Sequence, residues 1–238
     1  MRAMILEIRK NRRSGVLPAL PLAGLLGALY ALANYLARAD SLLKLPLPPM
    51  TILLTQLYGM ICVLNLFAIV LAASTIWHVE HTGGALRRLR TLPCSLSRAY
   101  MGKFMLLAAS LALAIALQHA ALAWLGRRYL PPGTFDAGQL VRFGLYALLT
   151  ALPALAAMLL AAFLSENLWV PLGIGVVGFL SAMALATLST PLALLHPFVA
   201  LLKPAMAMSA VPDPTTCAFA ACETAALLGV GLICTHRE

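Results

Sequence analysis

The residues best able to do chemistry in this 238-residue chain are the cluster His78, Glu80 and His81, and two isolated ionisable residues, His119 and Glu223. A zinc hydrolase needs two histidines four apart on one helical face, as in HExxH, so that both imidazoles reach the metal. Here the histidines are three apart and the glutamate lies out of register, so that geometry is missing. Five cysteines, Cys62, Cys94, Cys217, Cys222 and Cys234, form no CxxC and are odd in number, which disfavours a disulfide framework or a metal site. Most sit in apolar runs, where a thiol acts as a small hydrophobe. No GxxxxGK[ST] occurs, so the chain cannot itself cradle nucleotide phosphates. Gly173 to Gly178 satisfies GxGxxG, but it lies inside an apolar run and not between a strand and a helix. Close packing of helices is the better explanation, because small residues let backbones approach. No Ser–His pair with a plausible membrane geometry is apparent, and catalysis has no motif to stand on.

His119 and Glu223 are different, because both fall within long apolar segments. Burying an unpaired charge in a bilayer costs at least ~2.5 kcal/mol on insertion scales, so each must face protein or a wet cavity. The expectation is that Glu223 and His119, with Asn34 or Gln118, line or brace a substrate path. The alternative is a neutral glutamate hydrogen-bonded to a neighbouring helix.

The elements that must position these residues follow from composition. The chain is 62% apolar and 11% charged, against about 45–50% and about 25% in soluble domains. A soluble globule still needs polar surface; a lipid-facing one does not. Six apolar runs, approximately 16–37, 50–77, 104–125, 143–164, 168–188 and 216–234, each approach the ~20 residues needed to cross a bilayer. Backbone groups in lipid must be paired internally, so the runs are helices. This predicts an all-α polytopic membrane protein with six transmembrane helices, forming one domain over residues 1–238.

The net charge of +9 is placed by orientation and requires no nucleic acid. Arg2, Arg9, Lys10, Arg12 and Arg13 precede the first run, and Arg87, Arg88, Arg90, Arg98 and Lys103 lie between the second and third. That is the pattern of cytoplasmic segments, so both termini are expected inside, although Arg127 and Arg128 fall on the other side. Residues 1–15 read as an amphipathic surface helix, with Met1, Met4, Ile5 and Ile8 at helical spacing. Ala31-Leu32-Ala33 resembles a signal-cleavage site, but Glu7, Pro18 and Pro21 favour a retained first span. Residues 189–215 carry five prolines yet stay apolar, which fits short helices dipping back into the outer leaflet.

The segment 78–103 is the most distinctive. Ala85, Leu86, Leu89 and Leu92 share one face of a short helix, Gly83-Gly84 permits a turn into it, and Pro93 ends it. Such a helix can seat in a groove on a partner protein or rest on lipid headgroups. The stretch resembles the coupling region of type-2 ABC exporter permeases, with Glu80, Gly83, Gly84, Leu92, Pro93, Ser97, Arg98 and Lys103 at matching places. Those proteins usually have Gly-Thr, whereas this chain has Thr82-Gly83-Gly84. The surface helix, six spans and re-entrant helices between spans five and six are also what that family implies.

The resemblance further implies that Glu80, His81, Thr82, Gly83, Gly84, Leu86, Leu89 and Leu92 couple to a separate ABC ATPase. Two ATPase copies, holding the ATP and Mg, would serve two permease subunits, identical or related, in a bacterial cytoplasmic membrane. No cofactor is expected on this chain. Within the family, the short length and the Glu-Ile-Arg-Lys-Asn-Arg-Arg-Ser opening are similar to permeases of lantibiotic self-immunity. The expected cargo is then amphipathic or hydrophobic, an antimicrobial peptide being the favoured case. The alternative is a non-transporting membrane scaffold or sensor that docks a cytosolic partner.

Overall fold

The computed structural model describes residues 16–42, 45–82, 95–186, 191–206 and 210–237. Among them every regular element is helical: α1 (Val16–Leu42), α2 (Pro49–Thr55), α3 (Tyr58–Thr82), α4 (Leu96–Tyr129), α5 (Ala137–Phe163), α6 (Trp169–Leu185), a 3-10 turn (Pro191–Leu195), α7 (Pro197–Met206) and α8 (Pro214–Arg237). Among the described residues, five stretches are long and apolar enough to cross a membrane: α1, α2 with α3, α4, α5 and α8. The run expected over 168–188 is helical as α6, but its 17 residues reach only about 25 Å at 1.5 Å per residue, against ~30 Å of hydrocarbon.

Several elements run longer than the apolar pattern suggests. α4 has 34 residues, or about 51 Å, which exceeds the ~30 Å of hydrocarbon, and it carries Arg127 and Arg128 in its last turn. The second run is as long, from Pro49 to Thr82, and it is relieved by a break at Gln56 and Leu57, where α2 turns into α3. Aspartate caps mark two of the helix starts. Asp136 Oδ1 accepts from Gly138 N at 2.7 Å at the head of α5. Asp213 precedes α8, whose first residue is Pro214, and accepts from the backbone of Thr215 and Thr216.

α3 and α5 are the centre of the bundle, with 61% of their apolar windows buried, while α1 and α8 lie at the margin with 33% and 17%. α1 packs chiefly on α4 and α3, and α8 chiefly on α5. Glycine allows the first of these approaches: a Cβ on Gly24 would stand 2.6 Å from Ala114 Cα of α4. The Gly173–Gly178 hexapeptide also packs helices. A Cβ on Gly175 would meet Val70 of α3 at 2.5 Å, and one on Gly178 would meet the Phe198 ring of α7 at 2.6 Å, whereas Gly173 has nothing within 4 Å. In the segment expected to hold short helices, α7 is buried over the five successive residues Phe198 to Leu202 and packs on α5, α3 and α6. The expected surface helix at residues 1–15 lies outside the described residues.

Candidate functional site

α3 and α4 run antiparallel and launch the 83–94 segment, so their facing ends fix where that segment leaves the bundle. Glu80 lies two residues before the end of α3 and Lys103 two turns into α4. Lys103 Nζ donates to Glu80 Oε1 at 2.6 Å, and the two side chains are 0% and 1% exposed. The ammonium also lies 5.0 Å from the centroid of the Trp77 ring, where the π face adds attraction for a cation. Trp77 packs against Phe163 of α5 at 4.9 Å between centroids, and Tyr100 of α4 lies 5.8 Å from the same phenyl ring.

α8 closes this end of the bundle. A Cβ on Gly231 would stand 2.5 Å from the Tyr100 ring, and Ser97 and Thr235 share a hydrogen bond of 2.8 Å. Four helices therefore converge on one buried ion pair. An ion pair out of water demands good geometry and tolerates loss of either partner poorly, so it constrains how α3 and α4 meet. His81 is half-buried beside Trp77 at 6.3 Å between ring centroids, and Thr82 Oγ1 donates to His78 O at 2.8 Å, closing the last turn of α3. Gly83, Gly84, Leu86, Leu89 and Leu92, the remainder of the expected coupling site, lie outside the described residues.

The intramembrane candidates are placed apart. Gln118 is fully buried and forms a reciprocal amide pair with Asn65 of α3: Gln118 Nε2 donates to Asn65 Oδ1 at 2.7 Å, and Asn65 Nδ2 to Gln118 Oε1 at 3.1 Å. Gly27 of α1 covers the pair, since a Cβ there would stand 2.7 Å from Gln118 Nε2. Interhelical hydrogen bonds of this kind contribute about 0.6 kcal/mol on average in membranes, and removing one partner leaves the other's polar atoms unmatched. Asn34 instead bonds within its own helix, its Nδ2 donating to Tyr30 Oη at 3.0 Å.

His119 sits between α4 and α5, stacked edge-on to Tyr58 at 5.7 Å. Its Nδ1 is 2.9 Å from Ile115 O; a carbonyl only accepts, so Nδ1 carries the proton. A groove of about 420 Å³ runs past it along α4 and α5, with otherwise apolar walls. Glu223 faces a separate groove of about 500 Å³ between α8 and the 3-10 turn. The structure thus brings Glu80 to Lys103 and Gln118 to Asn65, but gathers Glu223, His119 and Asn34 into no common site within one chain.

The Gln118–Asn65 pair had no signal in the sequence, and neither did a second pairing. Ser181 of α6 and His196, just before α7, lie 3.0 Å apart through Oγ and Nε2. Ser181 Oγ also donates to Gly178 O at 3.0 Å. With its single proton directed to a carbonyl, the hydroxyl accepts from Nε2–H, so the imidazole is no base toward it. The contact ties α6 to α7, and among the described residues no carboxylate orients the histidine. No group of three His, Cys, Asp or Glu among the described residues could hold a metal ion.

A bundle of long apolar helices, with a buried ion pair between two of them near one end, is the architecture of a multi-pass membrane protein. Residues 3–182 match the family model described as ABC-2 family transporter protein. The chain therefore belongs to the ABC-2 transporter family, as the coupling-region resemblance implied, and it is the membrane subunit of a transporter that works with an ATP-binding subunit. No curated protein and no solved structure gives a match.

Proposed function

We propose that this permease is half of an ABC exporter in a bacterial cytoplasmic membrane, with both termini in the cytoplasm. The observation that carries the reading is the Glu80–Lys103 pair, because it fixes the two helices from which the 83–94 segment departs. In this reading that segment, with Leu86, Leu89 and Leu92 as its seating face, docks on the ATPase, and His81, Thr82, Gly83 and Gly84 set its entry. Closure of two ATPase subunits around ATP and Mg pushes the segment, and the ion pair passes the movement to α3, α4, α5 and α8. A second permease subunit, identical or related, completes the pathway.

α6 is the fifth of six spans in this reading, its short length met by local thinning of the bilayer. The 3-10 turn and α7 are the re-entrant segment, and the burial of Phe198 to Leu202 supports it, since such helices are tolerated in a membrane only when covered by protein. The cargo is an amphipathic or hydrophobic molecule taken from the membrane, an antimicrobial peptide in a self-immunity system being the favoured case. Glu223, His119 and Asn34 line or brace its path, each chain of a pair contributing its own grooves.

The test is co-expression with each candidate ABC ATPase of the same genome, purification in detergent, and measurement of co-elution and ATP hydrolysis. Leu86→Asp and Leu89→Asp are run in parallel, because a charge on the seating face should break docking. A complex formed by the native chain and lost in both variants supports the reading. No complex with any encoded ATPase would sink it and leave the scaffold or sensor role in front.

A further inference from the structure

Glu223 is the one carboxylate deep in a span that lacks a cation among the described residues. Glu80, the other acid within the helical bundle, is held by Lys103. Asp136 and Asp213 lie at helix starts, the former 3.8 Å from Arg142 and the latter bonded to two threonines. Glu223 stands nine residues into α8, about 13 Å along the helix, and its buried Oε2 has no hydrogen-bond partner. The groove it faces holds about 500 Å³ and is otherwise lined by Leu195, Ala218, Phe219, Cys222 and Ala226. Among the described residues its walls offer no second hydrogen-bonding side chain apart from the weak thiol.

An apolar groove with one acidic group makes two demands of an occupant. The body must be hydrophobic, since the walls can reward only burial of apolar surface. The head must be cationic, because a carboxylate in low dielectric is stabilised by a counter-charge far more than by any neutral donor. A lipid tail satisfies the first demand alone. The volume lies in the range of drug-sized ligand pockets.

We infer that the groove between α8 and the 3-10 turn binds amphipathic organic cations, with Glu223 as the counter-ion that selects the positive charge. This rests on the permease reading and names the substrate class of the same site. Cys222, exposed beside Glu223, lies at the edge of the groove and makes no ion pair. Charge selection sits on the marginal helix, open toward the membrane, and so precedes any passage through the bundle.

The test uses the full chain in nanodiscs of phosphatidylcholine and two probes: dansyl-labelled decylamine and its N-acetylated counterpart, which keeps the apolar body and loses the charge. Fluorescence titration should give tighter binding of the amine to the native chain. Glu223→Gln should weaken the amine about ten-fold, equivalent to ~1.4 kcal/mol, and leave the acetylated probe unchanged. Glu223→Asp, which keeps the charge and guards against a folding defect, should retain most of the preference. Ala226→Trp, which fills the groove, should weaken both probes. Equal binding of both probes to the native chain, an unchanged amine affinity in Glu223→Gln, or an indifferent Ala226→Trp would each overturn the inference. So would failure of both probes to bind, which would leave the groove to lipid tails or a second copy. ATPase co-elution is measured on the same preparations. A complex without charge preference removes only this inference, whereas charge preference without a complex removes the proposed ATPase-coupled exporter reading and leaves the cation site standing.

Discussion

Replacing Lys103 by Met removes the ammonium and keeps much of the aliphatic stem that packs over Trp77, so it isolates the charge. At 2.6 Å the attraction to Glu80 is about 6 kcal/mol at an effective dielectric of 20. Desolvation of both ions offsets much of that, so the pair's net worth is small while the cost of breaking it is large. Lys103→Met takes the ammonium from a buried carboxylate, and Glu80→Gln takes that carboxylate's charge from the ammonium; each should destabilise by about 3–5 kcal/mol. For a chain of this size that is a fall in Tm of about 6–20 °C. The double variant Glu80→Gln/Lys103→Met leaves neither charge and should recover most of the loss, giving a coupling energy in a double-mutant cycle well above that of an exposed pair. Thermal unfolding in detergent supplies the stabilities, and co-elution with the ATPase reports whether the two helices still present the loop. Two single variants within about 2 °C of the native chain, or a double variant as unstable as the singles summed, would refute the reasoning.

Two further outcomes follow from geometry at single positions. Gly175→Ala places a methyl 2.5 Å from Val70 Cγ1, and a β-branched neighbour cannot swing aside easily, so a loss of about 1–3 kcal/mol is expected. Gly173→Ala, with open space around it, should stay within about 0.5 kcal/mol of the native chain, and Val70→Ala should rescue Gly175→Ala; thermal unfolding of the three variants checks the set. Asp213→Ala should cost ~1 kcal/mol through the lost cap. The hydroxyls of Thr216 and then Thr215 hold the Asp213 carboxyl below its ordinary value of 3.8. Folding therefore favours its charged form: the contribution is complete above the unfolded carboxyl's range and fades as the pH falls through the lower folded value. Melting curves taken from pH 6 down to the acid limit should show the gap between native and Asp213→Ala closing at the acid end.

The membrane class, the positions of the apolar runs and the absence of a nucleotide-binding loop were legible in the sequence, because each depends on residue type summed over a window. Two charged residues singled out in the segment 78–103, Glu80 and Lys103, prove to be partners, which their separation of 23 residues did not reveal. Which Gly of the GxGxxG pattern packs was not legible: Gly175 and Gly178 touch neighbours and Gly173 does not. Nor could the sequence pair Gln118 with Asn65, 53 residues away, or Ser181 with His196. The physical reason is common to all three. A helix in lipid is apolar on every side, so its sequence carries little of the one-sided periodicity that would reveal which face meets protein. Composition sets that such helices form; only their packing decides which small and polar residues meet.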